Sequence, residues 1–197
     1  MADATEPTPG ATALLIIDMI NDLDFEGGEQ LAPAAVAAAG RIRALRDRAD
    51  AADVPVIYVN DNFGRWRAER SSIVDHCRRQ GSRGAALIDA LSPRERDYFV
   101  VKPQFSGFYA TNLPVLLPQL GVSRLILTGV AADICVLFTA ADAHMRDYDL
   151  WVPEDTVASE CTEHLDWALE LMRKSMCAET AASADLRLQT WLARADT

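Results

Sequence analysis

Three residues far apart in the chain have types that together could do chemistry: Asp18, Lys102 and Cys135. A thiol grouped with a carboxylate and an ammonium group has the composition of an activated nucleophile with a base and an orienting third group. In that arrangement Asp18 takes the Cys135 proton and later returns it to a leaving amine. Lys102 keeps Asp18 ionised and stabilises the thiolate. The thiolate attacks an amide-like carbonyl, and water hydrolyses the acyl-enzyme that results. Small residues in the run Gly129-Val130-Ala131-Ala132 allow backbone N–H groups to approach the developing oxyanion. Each residue alone has an ordinary reading: a small core hydrophobe for Cys135, a turn-former for Asp18, a solvated strand end for Lys102. Their coincidence on one edge carries the assignment.

That edge follows from the elements that must position them. Residues 13–17 (ALLII) form a continuous apolar run, a strand buried on both faces, ending on Asp18. Residues 97–101 (DYFVV) form another strand, ending on Lys102, and 124–128 a third, broken at Gly129. Beyond it a helix begins near Asp133, a cap residue. Cys135 then lies in the first helical turn, where unpaired N–H groups and the helix dipole make a thiol more acidic. Further strands are expected at 55–60, 149–152 and 177–180. Helices are expected at 33–52, 84–91, 111–120, 162–176 and 184–194, the first burying Ile42, Leu45, Ala49 and Ala52 and exposing Arg41, Arg43, Arg46 and Arg48. Strand and helix alternate throughout, which predicts a parallel sheet with helices on both faces. Ligands of such open sheets bind beyond the carboxyl ends of the strands. Asp18, Lys102 and Cys135 all fall there.

Composition narrows the partners. A net charge of −10 argues against nucleic acid and anionic membrane surfaces. No apolar run is long enough to cross a bilayer, and the leader MADATEPTPG lacks a basic segment and an apolar core, so it is not a signal peptide. The expected division is a disordered tail over 1–11 and a single domain over 12–197. Cys77, Cys135, Cys161 and Cys177 have no metal-finger spacing. They read as reduced thiols in a cytoplasmic protein, with Cys161 and Cys177 structural. Cys77 next to His76 is not a second nucleophile pair, because adjacent side chains rarely face each other. His144 is too far along its helix to serve Cys135.

Three blocks then meet a known pattern: LLIIDMINDL, VVKPQFSGFYATNL and LILTGVAADICVLFTAADAHMRDYDLWVPEDTVAS. The chain resembles the isochorismatase-like cysteine hydrolases over nearly the whole domain. The resemblance implies a three-layer α/β/α sandwich around a six-stranded, mostly parallel, Rossmann-like sheet. It also implies an Asp–Lys–Cys triad on Asp18, Lys102 and Cys135. It implies a cis bond at Val130–Ala131 that aims the N–H groups of Ala131 and Cys135 at the oxyanion. Members that hydrolyse nicotinamide carry a metal site with an Asp-x-His pattern. Here that segment reads Asn60-Asp61-Asn62-Phe63, and Asp61 with His76 alone makes a poor site. No metal and no other cofactor is expected.

The leading expectation is a cysteine-dependent hydrolase of a small carboxamide, carbamoyl or ureido compound. Ether hydrolysis of the isochorismatase type, with Asp18 as acid, is the alternative enzyme. A non-catalytic binding protein on the same fold is the alternative from another class. Residues expected to shape the pocket are Phe25 (or its neighbour Asp24), Asn60, Phe63, Trp66, Phe105, Phe108 and Tyr109. The family resemblance implies a homodimer or homotetramer.

Overall fold

Strand β1 (Ala11–Ile17) runs through the middle of the sheet, between β2 (Val56–Asp61) and β4 (Val122–Val130). This is the arrangement in a computed structural model that describes residues 11–64, 67, 69–79 and 81–194. Residues 1–10, which make up nearly all of the expected tail, and Trp66 lie outside the described residues. Residue 11 belongs to β1 rather than to a tail.

Strands β3 (Tyr98–Lys102) and β5 (Asp149–Trp151) complete the order β3-β2-β1-β4-β5, and the short β6 (Val157–Ala158) pairs with the end of β4. Every pairing between these strands is parallel. Helices cover both faces, so β1 and β4 carry apolar residues at successive positions rather than alternating with polar ones. On one face Leu14, Ile16, Tyr58 and Ile126 pack under α1 (Gly28–Ala51), α2 (Arg70–Cys77), α3 (Ala85–Leu91) and α7 (Leu188–Leu192). On the other, Leu15, Ile17, Val59 and Leu127 pack under α4 (Leu113–Gln119), α5 (Leu137–His144) and α6 (Thr162–Ser175). The result is the six-stranded α/β/α sandwich expected from the sequence.

Several local expectations are corrected. The sixth strand is Val157–Ala158; residues 177–180 contribute one isolated bridge, Glu179 to Trp151. Helix α1 begins before Pro33, at Gly28, because Gly27 turns the chain with φ at +89°, a conformation costly for other residues. Arg46 does not face solvent. It is buried and donates to the Tyr58 hydroxyl at 2.6 Å and to Ser92 O at 3.1 Å, tying α1 to β2 and to the residue after α3. Ala52, expected on the buried stripe, is exposed. Cys161 and Cys177 are exposed, so neither is a core thiol, whereas Cys77, the last residue of α2, is buried in the core.

Candidate active site

The chain leaves β1 toward β2 and β3, then crosses back to place β4 on the other side of β1. A crevice opens at such a reversal, beyond the carboxyl ends of the two strands. Asp18 is the first residue past β1. Its backbone takes a left-handed turn, φ +52°, which aspartate tolerates better than most residues, and its N–H still donates to Val59 O at 3.0 Å. Across from it, Gly129 has φ +114°, and a Cβ there would stand 2.0 Å from Ile17 O. Only glycine lets β4 press this closely against the end of β1. The Val130–Ala131 peptide is cis. A π-helical turn, Ala132–Val136, follows, with Ile134 N and Val136 N both donating to Ala131 O at 3.1 Å. Cys135 rides on that turn.

Lys102 ends β3, two strands away from β1. Strands lie roughly 4.8 Å apart, so only a long side chain crosses β2 to reach Asp18. The ammonium group arrives 2.8 Å from Asp18 Oδ2 and 3.4 Å from Cys135 Sγ, and donates to Gln104 O at 3.1 Å. Its side chain is fully buried. The second Asp18 oxygen accepts the Asp61 N–H at 2.7 Å, and Asp18 also hydrogen-bonds the Cys135 thiol. The three residues singled out from the sequence are thus in mutual contact.

Burial raises the Asp18 carboxyl, against the opposing pull of the Lys102 ammonium. Burial and the Asp18 charge raise the Cys135 thiol, with Lys102 again opposing. Burial would lower Lys102, but the charges of Asp18 and Cys135 hold it protonated. The ammonium group is thus set against a carboxyl and a thiol that burial pushes upward. For Cys135 the direction is opposite to the one expected from a helix start. Burial of the thiol and the neighbouring Asp18 charge outweigh the short turn, whose Ile134 is exposed. Asp133 does not cap the helix either. Its carboxylate accepts from Ser159 Oγ at 2.6 Å and lies 3.2 Å from His164 Nδ1.

The expected pocket residues divide. Asn60 is fully buried; its carboxamide accepts from Ile20 N and donates to Ile20 O, both at 3.0 Å, and donates to Asp61 O at 3.3 Å, which fixes the loop after Asp18. Phe108 is a core residue, packed on Tyr148 beneath the Arg146 guanidinium. Phe63 packs against the core, near the His76 ring. Phe25, Phe105 and Tyr109 are exposed. His76 pairs with Asp22 at 2.8 Å. Among the described residues no group of three or more His, Cys, Asp or Glu side chains is placed to hold a metal ion. Sequence reasoning missed one neighbour of the site. Asp61 pairs in register with Lys102 across β2 and β3, and its Oδ2 lies 3.5 Å from the ammonium. Its position on the strand beside the lysine was the available signal.

Comparison with known proteins shows the family. A model of the isochorismatase domain matches residues 12–185. An uncharacterised isochorismatase family protein of Bacillus subtilis is 41% identical over 167 residues, 85% of this chain and 91% of that protein. A ureidoacrylate amidohydrolase of Methylorubrum extorquens is 31% identical over 70% of this chain and 66% of its own length. The crystal structure of an N-carbamoylsarcosine amidase from Thermoplasma acidophilum superposes with a TM-score of 0.70 and 30% identity, over 90% of this chain and 99% of that one.

Proposed function

We propose that this chain, which belongs to the isochorismatase family, is a cysteine hydrolase of a small carboxamide, carbamoyl or ureido compound. One observation carries the reading: a fully buried lysine touches both a thiol and a carboxylate at the reversal point of the sheet. A buried ammonium of this kind is costly unless it is paired, and its partners here are the residue types that acyl transfer needs. The 31% identity to a ureidoacrylate amidohydrolase and the likeness to an N-carbamoylsarcosine amidase favour carbon–nitrogen bonds.

In the proposed reaction Asp18 accepts the Cys135 proton as Sγ bonds to the substrate carbonyl carbon. Proton transfer accompanies attack, since burial and the Asp18 charge both raise the thiol. The carbonyl π pair moves to oxygen, where the N–H groups of Ala131 and Cys135 receive it. Collapse expels the amine, which takes the proton back from Asp18 and leaves a thioester on Cys135. Asp18 then takes a proton from water, hydroxide displaces the thiolate, and the carboxylic or carbamic acid departs as the proton returns to sulfur. Lys102 stays charged throughout and keeps Asp18 able to accept.

The raised Asp18 carboxyl favours a second reading, in which it acts as the acid for a vinyl ether and Cys135 is not needed. One comparison separates the two: ammonia release from a panel of primary amides and monosubstituted ureas by the wild type and Cys135→Ala. Activity lost at least a thousandfold in the variant supports the thiol. Hydrolysis that survives in the variant overturns it.

A further inference from the structure

The site holds two carboxylates against one ammonium group, and they differ in access. The Asp18 side chain is 7% exposed and lies under Lys102, whereas that of Asp61 is 34% exposed. The two oxygens of Asp61 also differ. Oδ1 accepts the Phe63 N–H at 2.6 Å, closing a turn that fixes the carboxylate plane. Among the described residues the partner of Oδ2 is Lys102 Nζ at 3.5 Å, the outer limit of a hydrogen bond. An ionised carboxylate oxygen has room for a second, shorter bond. Lys102 Nζ is itself 3.4 Å from Cys135 Sγ, so Asp61 Oδ2 lies no more than about 7 Å from the nucleophile. A carbonyl carbon poised at about 3–3.5 Å from sulfur, with its nitrogen turned toward Asp61, brings that nitrogen within hydrogen-bond reach of the oxygen.

We infer that Asp61 is a specificity residue: its Oδ2 accepts an N–H of the substrate's leaving nitrogen, selecting primary amides and N–H-bearing ureides over N–H-free acyl compounds. The inference rests on the amide hydrolysis proposed above and adds the determinant that recognises nitrogen. Lone pairs on an ester oxygen face the same carboxylate without a proton between them, which is repulsive. A fully alkylated amide nitrogen likewise has nothing to donate.

The test uses the best amide from the ammonia-release panel together with the methyl ester and the N,N-dimethylamide of the same acyl group. kcat and KM are measured for the wild type, Asp61→Asn and Asp61→Ser. Both replacements keep an oxygen able to accept the Phe63 N–H, and near-ultraviolet circular dichroism checks the fold. The expected result is a fall of ten- to a hundredfold in kcat/KM for the amide in both variants, with the ester changing less than threefold. The amide-to-ester preference then collapses by at least tenfold. Equal losses on amide and ester would overturn the inference, since they mean that Asp61 serves only to hold Lys102. No loss on either would overturn it as well. Wild-type enzyme that hydrolyses neither amide nor ester sinks the proposed function and this inference with it. Amide hydrolysis with an unchanged preference sinks only the inference.

Discussion

Replacing Lys102 by methionine removes the charge at the centre of the site while keeping most of the side-chain volume. In the wild type the ammonium sits 2.8 Å from Asp18 Oδ2 and 3.4 Å from Cys135 Sγ, fully buried. An ion pair at about 4 Å and an effective dielectric near 20 is worth about 4 kcal/mol, and this one is shorter. Without the ammonium Asp18 keeps its proton to higher pH, because burial still raises it and its main opposing charge is gone. A protonated Asp18 cannot accept the Cys135 proton. A barrier increase of about 4 kcal/mol is a loss of about a thousandfold in rate, expected in kcat/KM for the best amide at pH 7. The sign of the pH dependence follows. The rising limb of activity moves to higher pH in Lys102→Met, and part of the loss is recovered there. Cys135 shifts the same way, since Lys102 also opposes the rise of its thiol. The assay is kcat/KM between pH 5 and 10, with thermal unfolding as a control for folding. A loss below tenfold, or an unshifted profile, would refute the electrostatic role assigned to Lys102.

Two further substitutions test the supports of the site. Gly129→Ala forces a left-handed backbone and a 2.0 Å contact with Ile17 O, so it is expected to destabilise the protein by about 3 kcal/mol or more; a melting temperature within 2 °C of wild type, by the usual scale of roughly 2–4 °C per kcal/mol, would show that β4 can move away from β1. Burial would raise Asp22, but the Asp24 N–H and His76 more than offset it and hold its carboxyl below the usual 3.8. Its contribution is present above pH 3.8 and lost as pH falls through the depressed value, so Asp22→Asn is expected to destabilise the protein at pH 7 and to have little effect at the acid end of a urea-denaturation series. A penalty independent of pH would contradict the sign.

The strands that carry Asp18 and Lys102 were legible as short apolar runs that give way to a polar residue: β1 is buried on both faces, and the edge strand β3, whose Tyr98 is exposed, ends at Lys102. The runs before Asp18 and Lys102 need no tertiary information to be read, and their carboxyl ends define the reactive edge. What failed depends on contacts between distant segments. Arg46 sits on a helix rich in arginine, and nothing local distinguishes it from Arg41, Arg43 or Arg48; the Tyr58 hydroxyl and the Ser92 carbonyl bury it. Asn60 has the residue type and position of a substrate contact, yet Ile20 claims its carboxamide across forty positions of sequence. The two-residue β6 is too short to show a period and exists because the end of β4 offers it a partner. The upward push on the Cys135 thiol was hidden for a related reason. The helix start was visible in the sequence, but the depth of burial and the closeness of Asp18 were not.

The central claim is that Cys135 carries the acyl group. Its most direct test is rapid acid quench of the enzyme turning over its best amide, followed by peptide mass spectrometry. The account predicts an added acyl mass on the peptide containing Cys135 during turnover, its loss as substrate is exhausted, and no adduct in Cys135→Ala. Full turnover with no acylated Cys135 at any quench time, together with an active Cys135→Ala variant, would contradict it.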